Sequence, residues 1–127
     1  MKRKFIKTDA APRAIGPYSQ AVMAGGFIYV SGQIPINPKT GELIASDIKA
    51  QTALILDNTK AILAAADCEL SDVVKVTVYL RSMADFPAMN ETYELYFPGK
   101  APARATVEVS GLPKGSAVEM DFIAWKG

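Results

Sequence analysis

No histidine occurs anywhere in this chain of 127 residues. That removes Ser-His-Asp and Cys-His nucleophile chemistry and the commonest metal ligand at one stroke. There is one cysteine, Cys68, so no intrachain disulfide and no thiolate metal cluster can form. Cys68 follows Ala64-Ala65-Ala66 near an expected helix end, with no base close in sequence, and reads as a buried structural thiol. A charge excess is missing too: 14 basic residues stand against 13 acidic ones. A nucleic-acid footprint needs clustered positive charge, and the one basic run, Lys2-Arg3-Lys4, is broken at once by Phe5 and Ile6. No apolar run approaches bilayer length, and the first residues lack a signal peptide's apolar segment. The expectation is a soluble cytoplasmic protein with no metal, no cofactor, and neither membrane nor nucleic acid as partner. Any catalysis must rest on carboxylates, tyrosines, arginine, hydroxyls and backbone groups.

What the chain does have is enough apolar material for a core: 50% of its residues are hydrophobic. No repeat, linker or low-complexity segment interrupts it, so residues 1–127 read as one domain. Lys2 to Lys7 reads as a short strand, and Asp9 to Pro17 as a loop punctuated by Pro12, Gly16 and Pro17. Tyr18 to Ala24 is a second strand, turned by Gly25-Gly26 into the β-branched and aromatic run Phe27 to Gly32. Ser46 or Asp47 caps a helix running to about Ala66, with Ile48, Thr52, Ile55, Thr59, Ile62 and Ala66 as its buried stripe. Val73 to Leu80 alternates, with Val74, Val76, Val78 and Leu80 on one face and Lys75, Thr77 and Tyr79 on the other. A second helix spans about Asp85 to Phe97, carries Pro87 in its first turn, and stripes Phe86, Asn90, Tyr93 and Phe97. Two final strands run around Ala103 to Val109 and Ala117 to Trp125.

The order β-β-β-α-β-α-β-β makes an α+β fold, a mixed sheet with both helices on one face. The other face carries groups such as Tyr29, Thr77, Tyr79, Ile123 and Trp125, and is too apolar to stay wet. A homo-oligomer of closed symmetry is expected to bury it. A tight hairpin between the last two strands would set Glu119 opposite Glu108 and Arg104 opposite Ile123. Arg104 and Glu119 then need not meet within one chain, and a subunit interface is the easier place for them to cooperate.

Six positions invite chemistry, and each has a plainer reading. Arg104, between two alanines behind Pro102, is either a surface ion pair or a planar fork for a carboxylate. Glu119, on the same strand face as Asp121, is either a solvated edge group or a carboxylate that positions water. Tyr18, after the rigid Gly16-Pro17, either packs or orients a water or a substrate nitrogen. Ser31-Gly32 is a strand end or a point where backbone approaches a ligand. Asn90, on an otherwise aromatic stripe, bonds a loop or a ligand.

Together with their neighbours these residues form a pattern. Ile15-Gly16-Pro17-Tyr18-Ser19-Gln20, Ser31-Gly32-Gln33-Ile34-Pro35, Asn90-Glu91-Thr92-Tyr93, Pro102-Ala103-Arg104, Val107-Glu108-Val109 and Leu112-Pro113-Lys114 span almost the whole chain. In this the sequence resembles the RidA (YjgF-type) reactive intermediate deaminases. The resemblance implies a chorismate-mutase-like fold assembled as a barrel-like homotrimer, with sites between subunits. It implies hydrolysis of 2-imino acids such as 2-iminobutanoate and 2-iminopropanoate, in equilibrium with enamines, to 2-oxo acids and ammonia. By that similarity Arg104 holds the substrate carboxylate, and Glu119 and Tyr18 position the attacking water. Ser31, Gly32, Asn90 and Thr106 line the pocket, Thr106 standing where well-known members carry cysteine. The resemblance also leaves two other roles open, a non-enzymatic binder of small carboxylates and an RNA-cleaving relative. An iminium carbon is already electrophilic, so orientation and a placed water suffice without metal or covalent nucleophile.

Overall fold

The computed structural model describes residues 2–127. Eight elements follow one another: β1 (Lys4–Ile6), β2 (Ala21–Ala24), β3 (Phe27–Gln33), α1 (Ile48–Ala64), β4 (Val73–Leu80), α2 (Phe86–Tyr96), β5 (Ala103–Glu108) and β6 (Val118–Trp125). This is the order expected from the pattern of the sequence. The second strand starts three residues later than Tyr18, because Gln20 just before it is spent on holding the preceding loop.

The helices form for local reasons. Asp47 caps α1, its Oδ1 accepting from the Ala50 amide at 2.8 Å. Ile55, Ile62, Thr52 and Thr59 are fully buried on its stripe. The two threonines can be buried because each hydroxyl donates to the carbonyl four residues back, Ile48 and Ile55, at 2.8 Å. In α2 the stripe buries Met89, Tyr93 and Phe97, with Pro87 in the first turn. Tyr96 ties the helices together by donating to Asp57 Oδ1 at 2.9 Å.

The six strands form one mixed sheet in the order β1-β2-β3-β6-β4-β5. The core lies between it and the helices, built on Ile28, Val76, Val78, Leu80, Val118, Met120 and Phe122. Each such side chain taken fully from water is worth about 1.5–3 kcal/mol. The open face carries Tyr29 and Trp125, about half exposed, beside the half-buried Thr77, Tyr79 and Ile123.

Two expectations are overturned. The last two strands do not form a hairpin, because β4 lies between them. It pairs parallel with β5, setting Val76 beside Arg104, and antiparallel with β6, setting Tyr79 beside Glu119. A parallel pair needs a long crossover, and the segment carrying α2 supplies it. β4 takes the place between them, with Val76, Val78 and Leu80 wholly buried under the helices. The loop from β5 to β6 crosses its end, where Val109 donates to the Leu80 carbonyl and Arg81 to the Ala117 carbonyl. The second correction concerns Val74. The β4–β6 register shifts between Val73 and Lys75, so Val73 is buried and Val74 is turned out.

Candidate functional site

The expected site residues fall into two groups on one chain. Tyr18, Ser31, Gly32 and Glu119 line a single cleft of about 620 Å³. Arg104, Asn90 and Thr106 are not among its lining residues, and belong to a cluster between β5 and α2.

The cleft owes its shape to a clasp and a bulge. Gln20 is buried, and its side chain grips the Thr8 to Pro12 segment from inside. Its Oε1 accepts from the Thr8 amide at 2.7 Å, and its Nε2 donates to the carbonyls of Thr8 at 3.0 Å and Pro12 at 2.8 Å. Tyr18 sits on the return of that loop, after Gly16 at φ +119°, a conformation that favours glycine. The Tyr18 hydroxyl accepts weakly from the Ile15 amide at 3.4 Å, which leaves its own proton to be donated elsewhere. Between β3 and β6 the register slips: Val30 faces Phe122 and Gln33 faces Met120, so Ser31 and Gly32 share one partner position. Such bulges re-aim side chains and are common beside functional sites. Here Ser31 is pinned to the loop, its hydroxyl donating to the Ser19 carbonyl at 2.5 Å and its amide to that of Gln20 at 3.0 Å.

Glu119 packs directly on Gly32. A Cβ built on that glycine would collide with Glu119 Oε2 and lie 2.9 Å from its Cδ. Half-burial raises the Glu119 pKa, and the neighbouring Asp121 carboxylate raises it further. Asp121 is held by Tyr79, whose hydroxyl donates to Oδ2 at 2.8 Å; that bond in turn raises the tyrosine's pKa. A carboxylate whose proton affinity is lifted in a cleft suits the removal of a proton from water.

The second cluster turns Arg104 inward. Ala103, Ala105 and Val107 face the open side of the sheet, while Arg104 and Thr106 face α2 and are half-buried. Arg104 Nη1 donates to Asn90 Oδ1 at 2.7 Å. Its guanidinium lies 4.7 Å from the centre of the Tyr93 ring and 5.5 Å from that of Phe86. Among the described residues no carboxylate pairs with it, so the surface ion pair is not what forms. Asn90 occupies one donor and the aromatic rings fix the plane, which leaves the rest of the fork for a ligand. Burial lifts the Tyr93 hydroxyl to about 12, against the pull of Arg104, and among the described residues neither that oxygen nor Thr106 Oγ1 has a hydrogen-bond partner.

Four residues of this region escaped the sequence reading as site groups: Arg13, Gln20, Gln33 and Lys114. Arg13, Gln33 and Lys114 line the cleft beside Glu119, and Gln20 builds its wall. A glutamine next to a proline-rich loop was the available signal for the clasp. Cys68 is a buried thiol, its pKa raised by burial first and then by Asp72. Among the described residues no group of three or more His, Cys, Asp or Glu side chains is placed to hold a metal ion, and no helix is long and apolar enough to cross a membrane.

Fold and residues together are those of a known family. Residues 8–126 match the family model described as Endoribonuclease L-PSP. The chain is 56% identical over 124 residues to a RutC family protein of Pyrococcus horikoshii, covering 98% of each chain. It is 47% identical over 125 residues to the mouse 2-iminobutanoate/2-iminopropanoate deaminase, covering 98% of this chain and 93% of the mouse protein. Escherichia coli TdcF, solved with bound serine, superposes with a TM-score of 0.93 at 41% identity over 98% of this chain and 99% of its own. The protein belongs to the YjgF/RidA family.

Proposed function

We propose that this protein hydrolyses reactive 2-imino acids, and the enamines in equilibrium with them, to 2-oxo acids and ammonia. Water adds to the C=N carbon, giving a carbinolamine; the C–N bond then breaks and ammonia leaves. Glu119 takes a proton from the water as it adds to the protonated imine, passes it to the carbinolamine nitrogen, and takes the hydroxyl proton as ammonia leaves and the carbonyl forms, while Tyr18 helps hold the water. Arg104, steadied by Asn90, grips the substrate carboxylate, and Ser31, Gly32 and Thr106 complete the pocket. No metal or cofactor takes part in the proposed steps.

One observation carries this reading: a desolvated carboxyl, Glu119, lies against the Gly32 backbone in a cleft lined by Tyr18 and Ser31. The arginine fork sits apart, two strands away from β6 across β4. A complete site therefore takes the cleft of one protomer and the Arg104 cluster of the next, in a homotrimer that also covers the open sheet face around Tyr29 and Trp125. The reading sets the reaction in the cytoplasm, near the pyridoxal-phosphate dehydratases that release such imines. The mouse relative's name supports the substrate class.

Adding the purified protein to a threonine dehydratase reaction should speed 2-oxobutanoate release, and Arg104→Ala should abolish the gain. No acceleration by the wild type overturns the proposal. Light scattering should give a mass three times the 13.6 kDa of one chain. The serine in TdcF favours a second reading, a binder of small carboxylates without turnover. It would show as ligand protection against thermal unfolding with no product formed. RNA cleavage abolished by Arg104→Ala would instead support the activity in the family's description.

A further inference from the structure

Within one protomer, the cleft carries more positive charge than an imine with a single carboxylate requires. Two cations line it, Arg13 and Lys114, against one acid, Glu119. Among the described residues neither cation has a carboxylate within ion-pair distance; the pairs that form are Lys49–Glu91 and Lys126–Asp67.

Both cations are presented on constrained backbone. Arg13 follows Pro12, whose carbonyl is held by buried Gln20 at 2.8 Å, and Ala11 before it is fully buried. Lys114 has φ +58°, left-handed for a residue with a side chain, just before Gly115 at φ +69°. That conformation costs roughly 1–2 kcal/mol outside glycine, and such strain gathers at functional sites. The same cleft is also lined by the apolar side chains of Ile15, Ile34 and Ile36. A ligand that fits has an apolar stem and a terminal anion.

We propose that Arg13, assisted by Lys114, forms a subsite for a second, distal carboxylate. The cleft then takes 2-imino dicarboxylic acids, with 2-iminoglutarate and its product 2-oxoglutarate as the fitting pair. The upstream reaction must be one that forms an imine on an acidic amino acid. For turnover this rests on the deaminase reading; for binding it does not.

The test is calorimetric binding of 2-oxoglutarate and 2-oxobutanoate to the wild type, Arg13→Ala and Arg13→Lys. An ion pair to exposed cations is worth about twofold to fivefold, so the wild type should favour 2-oxoglutarate by that factor. Arg13→Ala should bring the ratio of affinities to about one, and Arg13→Lys should restore part of it. Equal affinity of the wild type for both acids, or an unchanged ratio in Arg13→Ala, overturns the subsite. If 2-oxobutanoate binds and 2-iminobutanoate is hydrolysed without that preference, the subsite alone fails. If neither acid binds and no imine is hydrolysed, the deaminase reading fails with it.

Discussion

The carboxyl of Glu119 occupies the space a side chain on Gly32 would need. A Cβ there would meet Oε2 and lie 2.9 Å from Cδ. The glycine is thus required by its neighbour rather than by its own backbone angles. Gly32→Ala is expected to fold with a melting temperature within a few degrees of wild type, since Glu119 can swing aside. Imine hydrolysis should fall by about 100-fold, the usual cost of misplacing a reacting group by 1 Å. A variant with wild-type kcat/KM would remove Glu119's position from the mechanism.

In the proposed mechanism Glu119 sets the acid limb of the pH profile. A base must be ionised, so activity should fall as pH drops through its raised pKa, above the range of an exposed glutamate. Asp121→Asn removes the second cause of the shift and should move that limb downward. The stability effect has the opposite direction. A carboxyl raised on folding binds its proton more tightly in the native state, so its contribution weakens as pH rises past the unfolded pKa toward the folded one. Glu119→Gln should therefore lose activity at neutral pH while melting no lower than wild type. A clear drop in melting temperature would refute the desolvation account.

Arg104→Lys keeps the charge but loses the planar fork and the stacking on Tyr93. Deaminase kcat/KM should drop by about tenfold to 100-fold, the range for one or two charge-assisted bonds. Asn90→Ala frees Nη1 while leaving the stacking, and should give a smaller loss. The reverse order of severity would show that Asn90, and not the fork, contacts substrate.

Thr106 Oγ1 is buried with no hydrogen-bond partner among the described residues. An unmet hydroxyl costs about 1–3 kcal/mol, so Thr106→Val, of the same shape, should be as stable as wild type or more so. Thr106→Cys should behave likewise, and retained activity in both would assign any ligand contact at this position to the backbone. A loss in the valine variant alone would show that a polar group is needed.

Gln20→Ala removes three good hydrogen bonds from inside the loop. A cost of about 2–3 kcal/mol is expected, or roughly 10 °C in melting temperature for a chain of this size. Because Arg13 and Tyr18 ride on that loop, KM should rise as well. A change in stability with no change in KM would confine the clasp to folding.

Much of the fold lay open in the residue pattern because it is set locally. The stripe of α1, the Asp47 cap and the strand alternation follow from neighbours within a few residues. The same alternation misread Val74, since a bulge shifts register and leaves little local trace. Arg104 stood out in the sequence as a planar donor fork, but its aromatic seat was not visible there. Tyr93 and Phe86 lie on a helix whose docking depends on the whole core. Arg13 and Lys114 looked like ordinary surface cations until the loops brought them to one cleft.

By composition and order alone, the chain excluded histidine catalysis and an intrachain disulfide, pointed its chemistry to carboxylate, hydroxyl, guanidinium and backbone groups, and laid out its strands and helices. Those properties reside in residue identity and short-range periodicity. Only the tertiary structure inserted β4 between β5 and β6, turned Arg104 toward α2, and seated Gly32 beneath a carboxyl. Strand partners are chosen by burial of whole faces across distant segments, and no local pattern encodes that choice.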